Sequence, residues 1–423
     1  MSQESPVLQR IFFVLLVGLL VGSLSLFIVN SLIYRPDVWE LYSRAFHFII
    51  LGFAWYIFIL LFIGDVKKKH NQIYAGEKIS VVIPCYNEVP KLLRRSLESV
   101  IAAEGNKEII VIDDGSMNGV HWVAQALSWR HGITVHRFSK NQGKRHALHY
   151  AVTKLISADS QFVVTIDSDT VLDESGLIRL VEPLKDPKIG AASGDVRLLN
   201  ENQNWLTRMA SSYYWVALNI DRKAQSAAGI VACCSGCMAG YKTSVISSVI
   251  DRFVNQKFFG ERCTHSEDRH LTNLVHQKGY KVVFVPEAIS YTETPSTLRG
   301  FLKQQQRWLR GFMRESLYAL SFAWRNKPLL FFQILLWDLT LPFLGFGLTL
   351  MLIVTVIFNP QAFLFAILPS WILFMLVRYM PMLFFEGKKL RGLLYYMIFF
   401  HFFTYWQNVY ALFTFKNKSW ITR

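Results

Sequence analysis

Glu108-Ile109-Ile110-Val111-Ile112-Asp113-Asp114-Gly115-Ser116 is a short apolar run that ends abruptly in two carboxylates and a turn. Four apolar residues in a row, without polar alternation, predict a strand covered on both faces. Upstream, Ile79-Ser80-Val81-Val82-Ile83-Pro84 is a second such run, closed by proline and followed by Cys85-Tyr86-Asn87-Glu88. Downstream, residues 133–138 and 162–166 read as further strands, the latter followed by Asp167-Ser168-Asp169. Helical stretches of roughly 10–15 residues separate them, the rhythm of an α/β domain with a mainly parallel sheet. Ligands of such sheets bind beyond the carboxyl ends of the strands.

Those strand ends carry Glu88, Asp113, Asp114, Asp167 and Asp169. One carboxylate at a strand end is unremarkable, because aspartate also caps helices. Several converging on one crevice repel each other unless a cation joins them. Hard oxygen ligands suit Mg²⁺ or Mn²⁺, and Mg²⁺ commonly bridges to substrate phosphates. Asn141, Gly143, Lys144 and Arg145 offer backbone and cationic contacts to such a phosphate. No GxxxxGK[ST] is present, which disfavours a P-loop nucleotidase. Ser266-Glu267-Asp268-Arg269-His270 opens a predicted helix and supplies Asp268 as a candidate general base, though acidic residues also suit any helix N-terminus.

Around this domain the composition changes. Of 423 residues, 52% are apolar and 18% charged, against roughly 25% charged in an ordinary soluble domain. Residues 11–34 and 45–64 are uncharged runs, and bilayer crossing needs about 20 residues. The first is too long for a signal peptide, so the pair reads as a helical hairpin. Three more apolar blocks cover 329–358, 362–385 and 392–415, with Asp338 and Arg378 inside two of them as a candidate pair or polar path. Lys67 to Lys69 and Lys388, Lys389 and Arg391 put the central domain on the cytoplasmic side. Lys416, Lys418 and Arg423 then favour an even number of crossings, with one block re-entrant or the first broken at Pro342.

The net charge is +15. Residues 78–298 hold 25 basic and 22 acidic residues, so most of the excess lies in the membrane segments and their flanks. Residues 299–327 alternate seven basic residues with Leu302, Trp308, Leu309 and Phe312, as on an interfacial amphipathic helix. No nucleic-acid-binding signature accompanies the charge, so nucleic acid is not an expected partner. Cys234 to Cys237 matches CxxC without a second pair at zinc spacing, and a turn of small residues explains it better than a redox or metal site.

Taken together, DDGS at 113–116, DSD at 167–169, SGC at 235–237, EDRH at 267–270 and QxxRW at 304–308 resemble the processive, membrane-embedded family 2 glycosyltransferases, in order and spacing. Residues 141–148, 167–170, 206–208, 224–226 and 312–316 look like hyaluronan synthases. Residues 233–234, 267–272 and 285–289 look closer to nodulation-type chitooligosaccharide synthases, a chitin-synthase group. Trp420-Ile421-Thr422-Arg423 resembles the W-G-T-R gating tail of both, with isoleucine for glycine. Both groups usually have proline where this chain has Cys237.

The resemblance implies a GT-A-type domain at 78–298 between a hairpin at 1–77 and, after an interface helix at 299–328, a transmembrane region and gating tail at 329–423. It implies inverting transfer from a UDP-sugar, with Tyr86, Glu88, Asp113 and Asp114 around the uridine. Lys144 and Arg307 would serve the diphosphate, Asp167 would meet the ribose or Lys144, and Asp169 would hold the Mg²⁺ or Mn²⁺. Asp268 would be the base, and Trp308, Glu267, Gln304 and Cys237 would border the acceptor. Trp420, Thr422 and Arg423 would gate. The expected donor is UDP-GlcNAc, alone for a chitin-type product or with UDP-GlcA for hyaluronan. The expected setting is multi-pass in the plasma (inner) membrane, in contact with lipid and the growing polysaccharide. Single transfer onto a lipid acceptor is the alternative, and a transporter with a nucleotide-sensing domain is a weaker one.

Overall fold

The computed structural model of the chain describes residues 73–258, 260–364 and 390–414, with single positions 368, 372, 379 and 382 between the last two. The expected N-terminal hairpin, Arg378 and the tail bearing Trp420, Thr422 and Arg423 lie outside the described residues.

Strand β1 (Ile79–Cys85) is buried along its whole length. Ile79, Val81 and Ile83 pack into one core with Leu93, Leu97 and Val100 of helix α1 (Pro90–Ala102). Their i, i+4, i+7 spacing makes one face of the helix, and Pro90 occupies a first-turn position where its missing N–H is not needed. Val82 points the opposite way, into a second core with Ile110 and Ile112 of β2 (Lys107–Asp113). Two covered faces explain why neither run alternates.

The eight-stranded sheet runs β3-β2-β1-β4-β7-β6-β10-β5. Here β3 is Thr134–Arg137, β4 Phe162–Thr165, β5 Val171–Leu172, β6 Ile189–Leu198, β7 Ala239–Lys242 and β10 Lys281–Thr292. A separate ribbon joins β8 (Lys257–Phe258) to β9 (Glu261–Arg262). From β3 through β4 all pairings are parallel, as expected. Beyond β4 the sheet is mixed, because β7 runs antiparallel to both β4 and β6. The cause is local. The Ser235 to Met238 turn lies where β4 ends, so a strand starting from it must run back the other way.

Four further helices matter for the site. Helix α2 (Lys144–Tyr150) follows β3, and α3 (Trp205–Val216) begins with a capping box between Asn204 and Thr207. Helix α4 (Glu267–Gln277) and the long α5 (Leu298–Asn326) pack together, and Thr297 caps α5 by accepting the Gly300 N–H at 3.2 Å. Arg310 and Arg314 are buried against protein instead of reaching headgroups.

Among the described residues one helical stretch, Pro328–Phe358, is long and apolar enough to cross a membrane. It is not broken at Pro342. A π-helical segment, Ile334–Thr340, passes directly into an α-helix at Leu341, leaving Pro342 in the first α-helical turn. The C-terminal helix, His401–Thr414, is tied to α5 through Arg310 Nε to Thr414 Oγ1 at 3.0 Å and Gln407 Nε2 to the Leu302 carbonyl at 3.1 Å.

The packing of α4 on α5 leaves no room at Gly311, where an added Cβ would collide with the Ser266 side chain. Alanine favours a helix over glycine by about 1 kcal/mol. Overpacking typically costs about 1–3 kcal/mol, so sterics win. Gly311→Ala is expected to lower the melting temperature, measured by thermal unfolding of the detergent-solubilised chain.

Candidate active site

The loops after β1, β2 and β4 meet at one crevice, and the Lys144 ammonium is the point on which charge closes. Asp114, 2% exposed, accepts the N–H groups of Gln142 at 2.7 Å and Gly143 at 2.8 Å. That fixes the turn leading into α2 and so aims Lys144. Its Nζ lies 2.7 Å from Asp167 Oδ1, 3.3 Å from Glu267 Oε1 and 3.3 Å from Asp268 Oδ1. The strand-end turn and the start of α4, far apart in sequence, thus share one cation.

The charges are uneven in consequence. Burial opposes the charge on Lys144, yet Asp167, Asp268 and Glu267 together hold its pKa well above the ordinary lysine value. Burial pushes Asp268 up to about 7, with Glu267 and Asp167 repelling in the same direction and Lys144 opposing. Glu267 feels burial too, but Lys144, Arg145 and Arg307 hold it below the usual carboxylate value. One carboxylate stays ionised while its neighbour titrates near neutrality, a pattern typical of acid–base sites.

Gly236 closes the crevice from the small-residue turn. A Cβ there would stand 2.5 Å from Asp268 Oδ2, 2.8 Å from Lys144 Nζ and 3.0 Å from Asp167 Oδ2. The Cys234 to Cys237 segment is therefore a close-approach turn. All five cysteines are free, and burial raises the Cys233 and Cys234 thiols to about 12, far from reactive thiolates.

The other expected residues fall in two groups. Asp113 is fully buried, pairs with Arg137 Nε at 3.2 Å and accepts the Ser116 N–H at 2.9 Å, holding the DDGS loop from behind. Tyr86 is exposed at the crevice rim, and Glu88 accepts the Ser168 hydroxyl at 3.1 Å, joining the β1 and β4 turns. On the far side, Trp308 meets the Tyr214 ring at 6.2 Å between centroids, and Gln304 keeps a buried Oε1 without a hydrogen-bond partner. Burial raises the Cys237 thiol, with Asp167 and Asp169 adding to it, which places both carboxylates beside that turn.

Among the described residues no three His, Cys, Asp or Glu side chains gather into a metal cage. Asp169 is half-buried, a single hard oxygen donor next to the Lys144 cluster. This fits Mg²⁺ or Mn²⁺ whose remaining ligands come from substrate phosphates and water.

Arg145, expected to face a phosphate, faces inward instead. It donates to the carbonyls of Phe253 at 3.0 Å and His265 at 3.3 Å and lies over the Phe253 ring. Neighbouring helical residues point about 100° apart, so Lys144 and Arg145 cannot both address one crevice. Asp338 pairs with Arg269 of the EDRH segment, an ion pair the apolar blocks alone did not suggest. The sequence reading also passed over Tyr214, whose place in the aromatic run Tyr213-Tyr214-Trp215 was the available signal. It passed over Glu315 as well, which is fully buried and accepts from Gln256, His270 and Arg314 at 2.8–3.2 Å.

Comparison with known proteins bears on the family and the fold. Residues 76–311 match the family model described as glycosyltransferase like family 2. An N-acetylglucosaminyltransferase of Bradyrhizobium diazoefficiens is 37% identical over 257 residues, covering 59% of this chain and 51% of that protein. One of Azorhizobium caulinodans is 32% identical over 284 residues, covering 66% and 69%. The chain spans about half the length of the first of these relatives. Among solved structures, a mannosyltransferase of Pyrobaculum calidifontis in complex with GDP-Man and Mn²⁺ superposes with a TM-score of 0.60 at 19% identity, covering 84% of this chain and 96% of that one. That likeness concerns the fold, a GT-A-like α/β domain with a mixed sheet. With the family model covering more than half of its length, the chain belongs to the glycosyltransferase like family 2.

Proposed function

We propose that the chain transfers N-acetylglucosamine from UDP-GlcNAc to a hydroxyl at the end of a growing glycan, inverting the anomeric centre in a single displacement. The observation that carries this reading is the Lys144 cluster, in which Asp268 is raised toward neutrality beside ionised neighbours. The names of the rhizobial relatives favour GlcNAc as the transferred sugar.

In this reading Tyr86, Glu88, Asp113 and Asp114 form the uridine end of the site, and Lys144, Asp167 and Arg307 the ribose and diphosphate end. Asp268 takes the proton as the acceptor oxygen attacks the anomeric carbon, while the bond to UDP breaks on the opposite face. No protein nucleophile is needed. Asp169 would hold a Mg²⁺ or Mn²⁺, which when bound would supply positive charge beside the departing diphosphate. Trp308 offers a stacking face to the acceptor sugar, bordered by Gln304, Glu267 and Cys237. The apolar helix at Pro328–Phe358 and the concentration of basic charge outside 78–298 support a membrane enzyme with its catalytic domain on the cytoplasmic side. Export of the polymer past the flanking segments belongs to the same proposal.

Because only an ionised carboxylate accepts a proton, the rate of UDP release is expected to rise with pH through about 7, the value to which burial raises Asp268. A rate flat from pH 5 to 8 would remove Asp268 as the base. Trp308→Ala is expected to weaken acceptor binding on the order of tenfold and shorten products, read by product sizing. The deciding experiment supplies the purified chain with UDP-GlcNAc and UDP-GlcA, singly and together, and follows UDP release and product length. Multi-sugar products from UDP-GlcNAc alone are expected. Turnover only with both donors would indicate a hyaluronan-type polymer, and a single labelled glycolipid would overturn the polymerase reading.

A further inference from the structure

Arg269 follows the proposed base directly and is 1% exposed. Its Nη2 donates to Ser316 Oγ at 3.0 Å and pairs with Asp338, and its guanidinium lies 4.3 Å from the centre of the Phe312 ring. Ser316 Oγ in turn donates to Asp338 Oδ2 at 3.0 Å. The other two guanidinium nitrogens, Nε and Nη1, are buried without hydrogen-bond partners among the described residues. Among the described residues Asp338 is thus the carboxylate partner of a deeply buried cation, and it stands in the π-helical part of the apolar segment.

Besides the Lys144 ion pairs of Glu267 and Asp268, the opening turns of α4 have further fastenings. His270 Nδ1 lies 2.9 Å from Glu315 Oε2, Asn273 donates to the Glu315 carbonyl at 3.0 Å, and Thr272 Oγ1 accepts the Cys234 N–H at 2.9 Å. These bind α4 to α5 and to the Gly236 turn. Arg269 reaches past α5 to the apolar segment. A π-helical insertion widens a helix locally and is often kept for function. Here it coincides with the residue that meets Arg269.

We propose that Asp338 is a positioning residue for the transfer reaction. Through Arg269 it fixes where the first turn of α4, and so Asp268, stands against Lys144, coupling the apolar segment to the catalytic crevice. The inference rests on the reading of Asp268 as the base. An ion pair in so dry a setting has few other ways to be satisfied. Displacement of a catalytic group by about 1 Å is enough to cost roughly 10²-fold in rate.

The test uses the full chain in detergent or lipid, with UDP release from UDP-GlcNAc as the rate. Asp338→Asn is expected to lower kcat on the order of 10–100-fold with KM for UDP-GlcNAc little changed, and Asp338→Glu to recover part of the loss. Loss of Asp338 alone strands the Arg269 charge and endangers the fold. The paired replacement Arg269→Met with Asp338→Leu removes both charges and is expected to restore the melting temperature while kcat stays low. Recovery of kcat together with stability would mean the pair serves folding only and overturns the proposal. Wild-type kcat in Asp338→Asn would overturn it too, and would leave Asp268 untouched. Full activity in Asp268→Asn would remove the base reading instead, so the two failures are separable.

Discussion

Asp268→Asn is expected to bind UDP as the parent does and to transfer sugar about 10²–10⁴-fold more slowly, the usual contribution of a positioned general base. The substitution keeps the side-chain volume and removes the proton acceptor. It also removes one negative charge beside Lys144 Nζ, at 3.3 Å, and leaves Asp167 at 2.7 Å and Glu267 at 3.3 Å as counter-charges. The cation therefore stays paired, and the diphosphate end of the site should survive. Calorimetric UDP binding with single-turnover transfer separates the steps. Normal binding with normal transfer would show that another group takes the proton.

Lys144→Met should be as damaging, for a different reason. Three carboxylates would then face each other without their shared cation. Opposite charge favours ionisation, so its removal raises Asp268 further, beyond the value of about 7 that burial already produces. The sign is definite. At neutral pH Asp268 would be mostly protonated, the rising limb of the pH–rate profile would move to higher pH, and activity would recover in part as pH increases. A loss at pH 7 of roughly 10²-fold or more is expected, since the charge contact to the diphosphate proposed for Lys144 disappears as well. An unshifted limb would argue that Lys144 acts on the donor only. Gly236→Ala probes the same cluster sterically, because its methyl would intrude on Asp268, Lys144 and Asp167 at once.

Much of this site was legible in the chain because its parts are local. An apolar run closed by Asp113 and Asp114 specifies a buried strand with acidic residues at its carboxyl end, and the run closed by Asp167 specifies a second. Asp268 near the start of a helix follows from a short segment in the same way. Strands β6 and β10 were less readable. Gly190, Ala191, Ala192, Ser193 and Gly194 give β6 little hydrophobic signature, because Tyr280 and Val275 crowd Gly190 and the Ala288 carbonyl and Met238 crowd Gly194.

Other features depended on what lay opposite. The residues of β7 carry no sign of strand direction, which follows from where the Gly236 turn stands relative to β4. Arg145 and Lys144 are adjacent and equally basic, yet one donates to buried carbonyls and the other gathers carboxylates. Arg310 and Arg314 look like headgroup-seeking residues until the burial of α5 is known. Asp338 in an apolar block announces a buried charge without naming its partner.

The sequence by itself therefore determined the strands β1 to β4, their acidic ends, the helix that bears Asp268 and the QxxRW helix. Spacing of a few residues encodes each of these. Only the tertiary structure decided that Lys144 joins Asp167 to Glu267 and Asp268, that Glu315 binds α4 to α5, and that Arg269 reaches Asp338. Electrostatic partners are chosen by distance in space, at a few ångströms, and the chain order that brings them there is not written in their own neighbourhoods.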